Sequence, residues 1–154
     1  MDGIFPEGSI HDFHGEEAEF LSNFYEIPVI YRGLTYQNNE AAFQAQKCMT
    51  EEEKLPFTAY SPTKAKHAGR RVKLRPDWNE VRLTVMEEVV RAKFGQHPEL
   101  AARLVSTGDR LLIEGNNWRD RFWGADSRTG KGENHLGQIL MKIRSELNQT
   151  KETL

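Results

Sequence analysis

Glu40, Gln44 and Lys47 stand four and three residues apart in YQNNEAAFQAQK, residues 36–47. On a helix the seven steps from Glu40 to Lys47 turn the chain by about 700°, so the two side chains point within about 20° of one another, two turns apart. A carboxylate, an amide and an amine then share one stripe. A neutral amine can attack an electrophilic carbon and form a Schiff base, and a neighbouring carboxylate can move protons. Burial lowers a lysine pKa toward the neutral state and a close carboxylate raises it, so the sequence leaves that balance open. Taken alone, such a stripe also reads as a solvated polar face.

A second group lies in EGNNWRDRFWG, residues 114–124, where Glu114, Asp120 and Arg121 alternate with Trp118 and Trp123. Aromatic rings beside charged groups suit a flat heteroaromatic base, although the same tryptophans also serve to fill a core. A third group, GKGENHLG at residues 130–137, runs into a helical pattern. Gly130 and Gly132 there allow backbone N–H groups and a helix N-terminus to approach an anion, helped by Lys131 or Arg128; a glycine-rich turn before a helix gives the same composition. This is not a Walker A loop, because Gly132 stands where a magnesium-binding Ser or Thr belongs. His11 and His14 have an HxxH spacing, but on an extended segment they point to opposite faces and no third ligand follows, so no metal site is expected. Cys48 reads as a small buried residue.

The elements that must position these groups are mostly helical. Short strands are expected around Ile10–Phe13, Ile27–Tyr31 and Leu34–Tyr36, with Arg32-Gly33 as a hairpin turn. A helix starts near Asn39 with Asn38 or Asn39 as N-cap, and Ala41, Ala42, Phe43, Ala45 and Cys48 form its apolar side. Ser61-Pro62 opens a short helix that Gly69 closes. Pro76-Asp77 opens a long one to about Phe94, whose apolar residues cover more than one stripe and predict packing on two sides. Pro98–Ser106 reads as a helix and Leu111–Glu114 as a buried strand. In the last helix Leu136, Ile139, Leu140, Ile143 and Leu147 face the core while Lys142, Arg144 and Glu146 face water, and residues beyond Asn148 are expected to fray. The fold class is α+β, mainly helical, in a single compact domain with a few short strands near the N-terminus and a core of about residues 9–148.

Composition narrows the function. With a formal net charge of −2 and both signs mixed, the 154-residue chain has no field to hold a polyanion along a broad surface. A small anionic substrate in a local basic pocket is compatible with it. One cysteine excludes an internal disulfide, no signal-peptide pattern is visible, and the apolar runs are too short to cross a bilayer. A cytoplasmic protein without a membrane partner is expected.

The segments FLSNFY (20–25), YQNNEAAFQAQK, AKHAGR (65–70), KF (93–94), EGNNWRDRFWG and GKGENHLGQILM (130–141) occur in that order. Together they resemble the NADAR family, whose members include riboflavin-intermediate N-glycosidases and ADP-ribosyl-guanosine hydrolases. The resemblance covers about Phe20 to Arg144. It departs at Ala41, where many relatives have histidine after the glutamate, and at Asp126, where they often have glycine. It implies an N-glycosidase that needs no cofactor and cuts a ribose C1–N bond, with Glu40, Lys47 and Asp120 as catalytic residues. Asn23, Phe24, Tyr36, Gln44, Trp78, Glu114, Arg121, Trp123, Gly124, Gly132 and Asn134 are implied as substrate-binding. The substrate is then a small phosphorylated glycosylamine or an ADP-ribose-like group, with nucleic acid only as a modified substrate; a non-catalytic ADP-ribose-binding module is the alternative outside enzymes. In one mechanism Lys47 is the nucleophile, Glu40 the general acid/base and Asp120 positions the ribose or assists proton transfer. In the other, Glu40 or Asp120 activates water and Lys47 binds substrate.

Overall fold

The computed structural model describes residues 4–153. Its chain clusters into two compact units, Asn23–His97 and the described parts of Met1–Ser22 with Pro98–Leu154. Six α-helices and only short strands make an α+β, mainly helical protein. No helix among the described residues is long and apolar enough to cross a membrane.

In the Asn23–His97 unit, β1 (Val29–Tyr31) and β2 (Leu34–Tyr36) pair antiparallel, with Val29 opposite Tyr36 and Tyr31 opposite Leu34. Arg32 and Gly33 connect them with φ of 48° and 84°, the two left-handed residues that a two-residue hairpin matched to strand twist requires. Helix α1 (Asn39–Ala45) is capped by Asn38, whose side chain accepts the Ala41 N–H at 2.8 Å. Thr50 and Glu53 form a reciprocal capping box on α2 (Glu51–Lys54), a helix outside the elements expected from sequence. Ser61 caps α3 (Pro62–Gly69), with Pro62 at the first turn where its missing N–H costs nothing. Helix α4 (Trp78–Gln96) runs two residues past Phe94 and packs against both β1 and α1, which explains its broad apolar coverage.

The second unit centres on α5 (Pro98–Ser106) packed against α6 (His135–Thr153), with Leu100, Leu104, Leu136, Leu140 and Ile143 buried. Two parallel two-residue strands, β3 (Gly115–Asn116) and β4 (Ala125–Asp126), complete it. The strands expected at Ile10–Phe13 and Leu111–Glu114 reduce to one bridge between Ile10 and Leu112, because the chain turns away after Ile10. Arg144, expected in water, is buried and donates from Nη1 to Thr107 Oγ1 at 2.9 Å, and burial lowers its pKa. Helical backbone continues beyond Asn148 to Thr153; Leu154, the end of the expected frayed tail, lies outside the described residues.

Two glycines separate tight packing from spare space. A β-carbon on Gly137 in α6 would overlap the Leu112 carbonyl oxygen and the Asn134 side chain, whereas one on Gly95 in α4 would meet nothing within 4 Å. Gly137→Ala is expected to destabilise by about 1–3 kcal/mol through overpacking. Gly95→Ala is expected to stabilise by up to about 1 kcal/mol through helix propensity. Denaturant unfolding of both variants checks the pair, and equal effects would contradict it.

Candidate active site

Every residue of α1 is buried, so the stripe carrying Glu40 and Gln44 does not face water. Burying a carboxylate demands compensation. Gln44 supplies part of it, donating from Nε2 to Glu40 Oε2 at 2.7 Å, and the Glu40 N–H donates to the Asn23 carbonyl at 3.0 Å. The amide of Gln44 lies against Gly69 of α3, where a β-carbon would overlap its oxygen and come within 2.7 Å of its Cδ. Gly69 therefore lets α3 close over Gln44 with its amide nitrogen toward Glu40.

Lys47 is not on the helix. The chain leaves α1 at Gln46, and the Lys47 and Cys48 N–H groups donate to Gln44 and Ala45 at 3.1 Å each, a tighter turn than the α-helical projection assumed. The Lys47 carbonyl accepts the Arg75 N–H at 3.0 Å, which fixes the backbone from the other side. Its side chain is half-buried, with Nζ 5.9 Å from the centre of the Trp78 ring. Burial lowers the Lys47 pKa below the ordinary lysine value; the Glu40 charge opposes this and the Arg70 charge adds to it, and the net direction is down.

Asn23 anchors α1, accepting from Asn39 Nδ2 at 3.4 Å and donating to Met86 Sδ at 3.2 Å. Phe24 is 40% exposed, with Lys66 Nζ 5.8 Å from its ring centre. Trp78 is buried against Phe43 with ring centres 5.2 Å apart. Tyr36 is wholly buried, its hydroxyl accepts from Gln46 Nε2 at 3.4 Å, and burial pushes its pKa up to about 12.

Two residues of this unit lie in the segments AKHAGR and KF that carry the family resemblance, with no role assigned to them there. Arg70 follows α3 and its charge reaches Lys47. Lys93 is 1% exposed among aromatics, with Nζ 5.5 Å from the Tyr25 ring centre, and burial lowers its pKa to about 7. Its signal was positional: it falls on the buried face of α4 with Met86, Val89 and Val90.

In the other unit, residues 114–136 spend their polar groups on their own loop. Asp120 Oδ1 accepts the Phe122 and Trp123 N–H groups at 3.1 and 2.9 Å. Asn134 accepts the Glu114 N–H and donates to the Leu112 carbonyl, both at 2.9 Å, so its amide is committed at both ends. Arg121 reaches Asp126 at 3.5 Å. Trp123 packs edge-on to Phe122, ring centres 4.7 Å apart. Glu114 Oε2 accepts from Asn116 at 3.4 Å, and a β-carbon on Gly124 would overlap the Glu114 carbonyl. Gly132, at φ 152°, lies against the Gly124 carbonyl and Ala125. The N–H groups of Glu133, Asn134, His135 and Leu136 donate to the carbonyls of Arg121, Gly124, Phe122 and Trp123. The start of α6 is therefore sewn to its own loop, and the expected anion cradle has no support there.

Trp118 stands apart from Trp123, at a cavity of about 510 Å³ that His11 and His14 also line. The two histidines share this cavity because the chain turns at residues 13–17 instead of extending. Among the described residues no group of three His, Cys, Asp or Glu could hold a metal ion.

A family model described as the NADAR domain matches residues 11–148. N-glycosidase YbiA of Shigella boydii is 38% identical over 92% of this chain and 90% of its own. A riboflavin biosynthesis protein of Vibrio vulnificus is 38% identical over 87% of this chain, which corresponds to 37% of that longer protein. The NMR structure of YbiA from Escherichia coli superposes with a TM-score of 0.81 at 34% identity, covering 94% of this chain and 86% of that one. A glutamate locked by a glutamine inside a short helix, with a half-buried lysine beyond its end, thus sits in a chain that belongs to the NADAR domain family.

Proposed function

We propose that this hydrolase of N-glycosyl compounds cleaves the ribose C1–N bond of a phosphorylated ribosylaminopyrimidine and releases ribose 5-phosphate. The observation that carries the reading is Lys47, a half-buried amine whose pKa burial lowers despite the opposing Glu40 charge. The riboflavin-biosynthesis name of one relative supports the substrate class.

A glycosylamine can open its sugar ring to an imine at C1, which a neutral lysine attacks. The Lys47 Nζ–C1 bond forms, the aminopyrimidine takes a proton and leaves as the free amine, and a lysine-bound imine remains. Water then adds to C1 and Lys47 departs, so one water is consumed for each amine and sugar phosphate released. Glu40, oriented by Gln44, is the group to move these protons. Asp120 is left with loop shaping through Oδ1. Presenting the protein separately with the ribosylaminopyrimidine phosphate and with ADP-ribosylated guanosine DNA, and quantifying released base by mass spectrometry, is expected to show efficient release from the first. Release from the DNA adduct alone would reverse the assignment.

Borohydride added during turnover is expected to trap the sugar on Lys47, as read by peptide mapping. Lys47→Arg keeps the charge but cannot form the imine, so trapping and turnover should both be lost. Normal rates in that variant would leave water attack as the mechanism. Trapping at Lys93, the other lysine with a lowered pKa, would move the role there.

The pH profile has a defined sign. Only neutral Lys47 attacks, so kcat/KM should rise with pH along a limb centred below the ordinary lysine value of 10.5, since burial lowers the pKa. The Glu40 charge holds that pKa up, and Glu40→Gln should therefore move the limb to lower pH while reducing the plateau rate. A limb that stays in place, or moves upward, would show that Glu40 and Lys47 are not coupled.

A further inference from the structure

Gly69 is the buried last residue of α3, and its φ lies outside the left-handed region, so its backbone has no need of glycine. At such a place in a helix alanine costs less conformational entropy. What glycine supplies here is lateral space. A β-carbon would meet three nearest atoms, all of one side chain: it would overlap Gln44 Oε1 and lie 2.7 Å from Cδ and 3.2 Å from Cβ. At Gly137 the nearest atom is a backbone carbonyl oxygen, whereas at Gly69 it is the side chain of Gln44 that would have to move.

The Gln44 amide is bonded at one end only. Nε2 donates to Glu40 Oε2 at 2.7 Å, while Oε1 is buried with no hydrogen-bond partner among the described residues. The Gly69 hydrogen that stands where a β-carbon would be faces that oxygen, and offers it no more than a weak C–H···O contact. Turning the amide over would set Oε1 against the Glu40 carboxylate, so an ionised Glu40 keeps Nε2 in place. The bond also makes the two carboxylate oxygens unequal, because an oxygen that accepts an N–H bond is the poorer site for a proton.

We propose that Gly69 is a positioning residue for the hydrolysis: the space it leaves keeps Gln44 Nε2 on Glu40 Oε2 and so assigns the transferable proton to Oε1. The proposal rests on the reading of Glu40 as the group that moves protons. In that reaction Oε1 gives its proton to the departing amine nitrogen and takes one back from the Lys47 nitrogen bonded to C1, which returns Glu40 to its starting state. With Gln44 displaced, either oxygen can take the proton and the productive one is no longer selected.

Steady-state release of the aminopyrimidine by Gly69→Ala, Gln44→Ala and the double variant tests this. Gly69→Ala is expected to lower kcat roughly tenfold to a hundredfold with KM within about twofold of the parent, as for a change felt in the chemical step. Gln44→Ala should lose about as much, and the double variant no more than either single one, because both changes break the same bond. The solvent deuterium isotope effect on kcat should be larger in Gly69→Ala than in the parent, which a loss of stability alone does not produce. A loss confined to KM, additive losses in the double variant, or an isotope effect no larger than the parent's would overturn the proposal. Should Gly69→Ala fail to fold, the double variant, from which the overlapped amide is gone, must fold and turn over at the Gln44→Ala rate; if it too is unfolded, the proposal is wrong. Glu40→Gln measured in parallel separates the two levels. A parent-like rate there removes the reading of Glu40 and this proposal with it, whereas a slow Glu40→Gln beside a normal Gly69→Ala removes the proposal alone.

Discussion

The hydrogen bond from Gln44 to Glu40 inside a fully buried two-turn helix is the constraint on which the packing of the Asn23–His97 unit turns. A helix as short as α1 is not stable alone in water and exists because α3, α4 and the β1–β2 hairpin pack around it. Packing on all sides would strand the Glu40 carboxylate, whose unpaired burial costs several kcal/mol or more. Gln44 satisfies it locally, Asn23 holds the helix start, and Gly69 gives the amide room. The same desolvation extends to Lys47, just beyond the helix end, and lowers its pKa. Core packing and the lowered lysine pKa are therefore one arrangement seen from two sides.

Much of the fold could be read from sequence because its signals are local. The Asn38 and Ser61 caps, the Arg32-Gly33 turn and the spacing of Leu136, Ile139, Leu140 and Ile143 each act within a turn or two, and the structure has all of them. What escaped was set by tertiary burial. Periodicity places Glu40 and Gln44 on one stripe but cannot say that the stripe is covered, since α3 comes from residues 62–69. It cannot show that the helix stops at Gln46 before reaching Lys47, because Gln46 is as good a helix former as the residues before it. Arg144 and Lys93 went unrecognised for the same reason: a cation on a core face looks like a cation on a solvent face until the neighbouring elements are known.

Residues 114–136 show a second limit. Loops that lack regular ladders must still pair their buried backbone groups, and Asn and Asp side chains do this most readily. Asp120, Asn116 and Asn134 each bond to main-chain groups nearby. A polar, glycine-rich segment is thus ambiguous in sequence, since the residues that would bind a ligand are also those that hold an irregular loop. Only the bonding partners separate the two readings.

The two lysines with lowered pKa bring these points to bear on mechanism. Lys93 is shifted further, to about 7, but it is 1% exposed and enclosed by aromatic rings. Its shift carries a stability cost: the unfolded lysine binds a proton up to about 10.5, so folding is opposed by this group below that pH and most strongly below about 7. Lys47 is shifted less because it keeps partial solvent contact and a neighbouring carboxylate. An imine-forming amine needs to be neutral part of the time, reachable by a sugar, and beside a group that carries protons. Depth alone supplies the first and forfeits the second. In the proposed mechanism it is the intermediate position of Lys47, outside the helix that buries Glu40 but still within reach of its charge, that would serve all three.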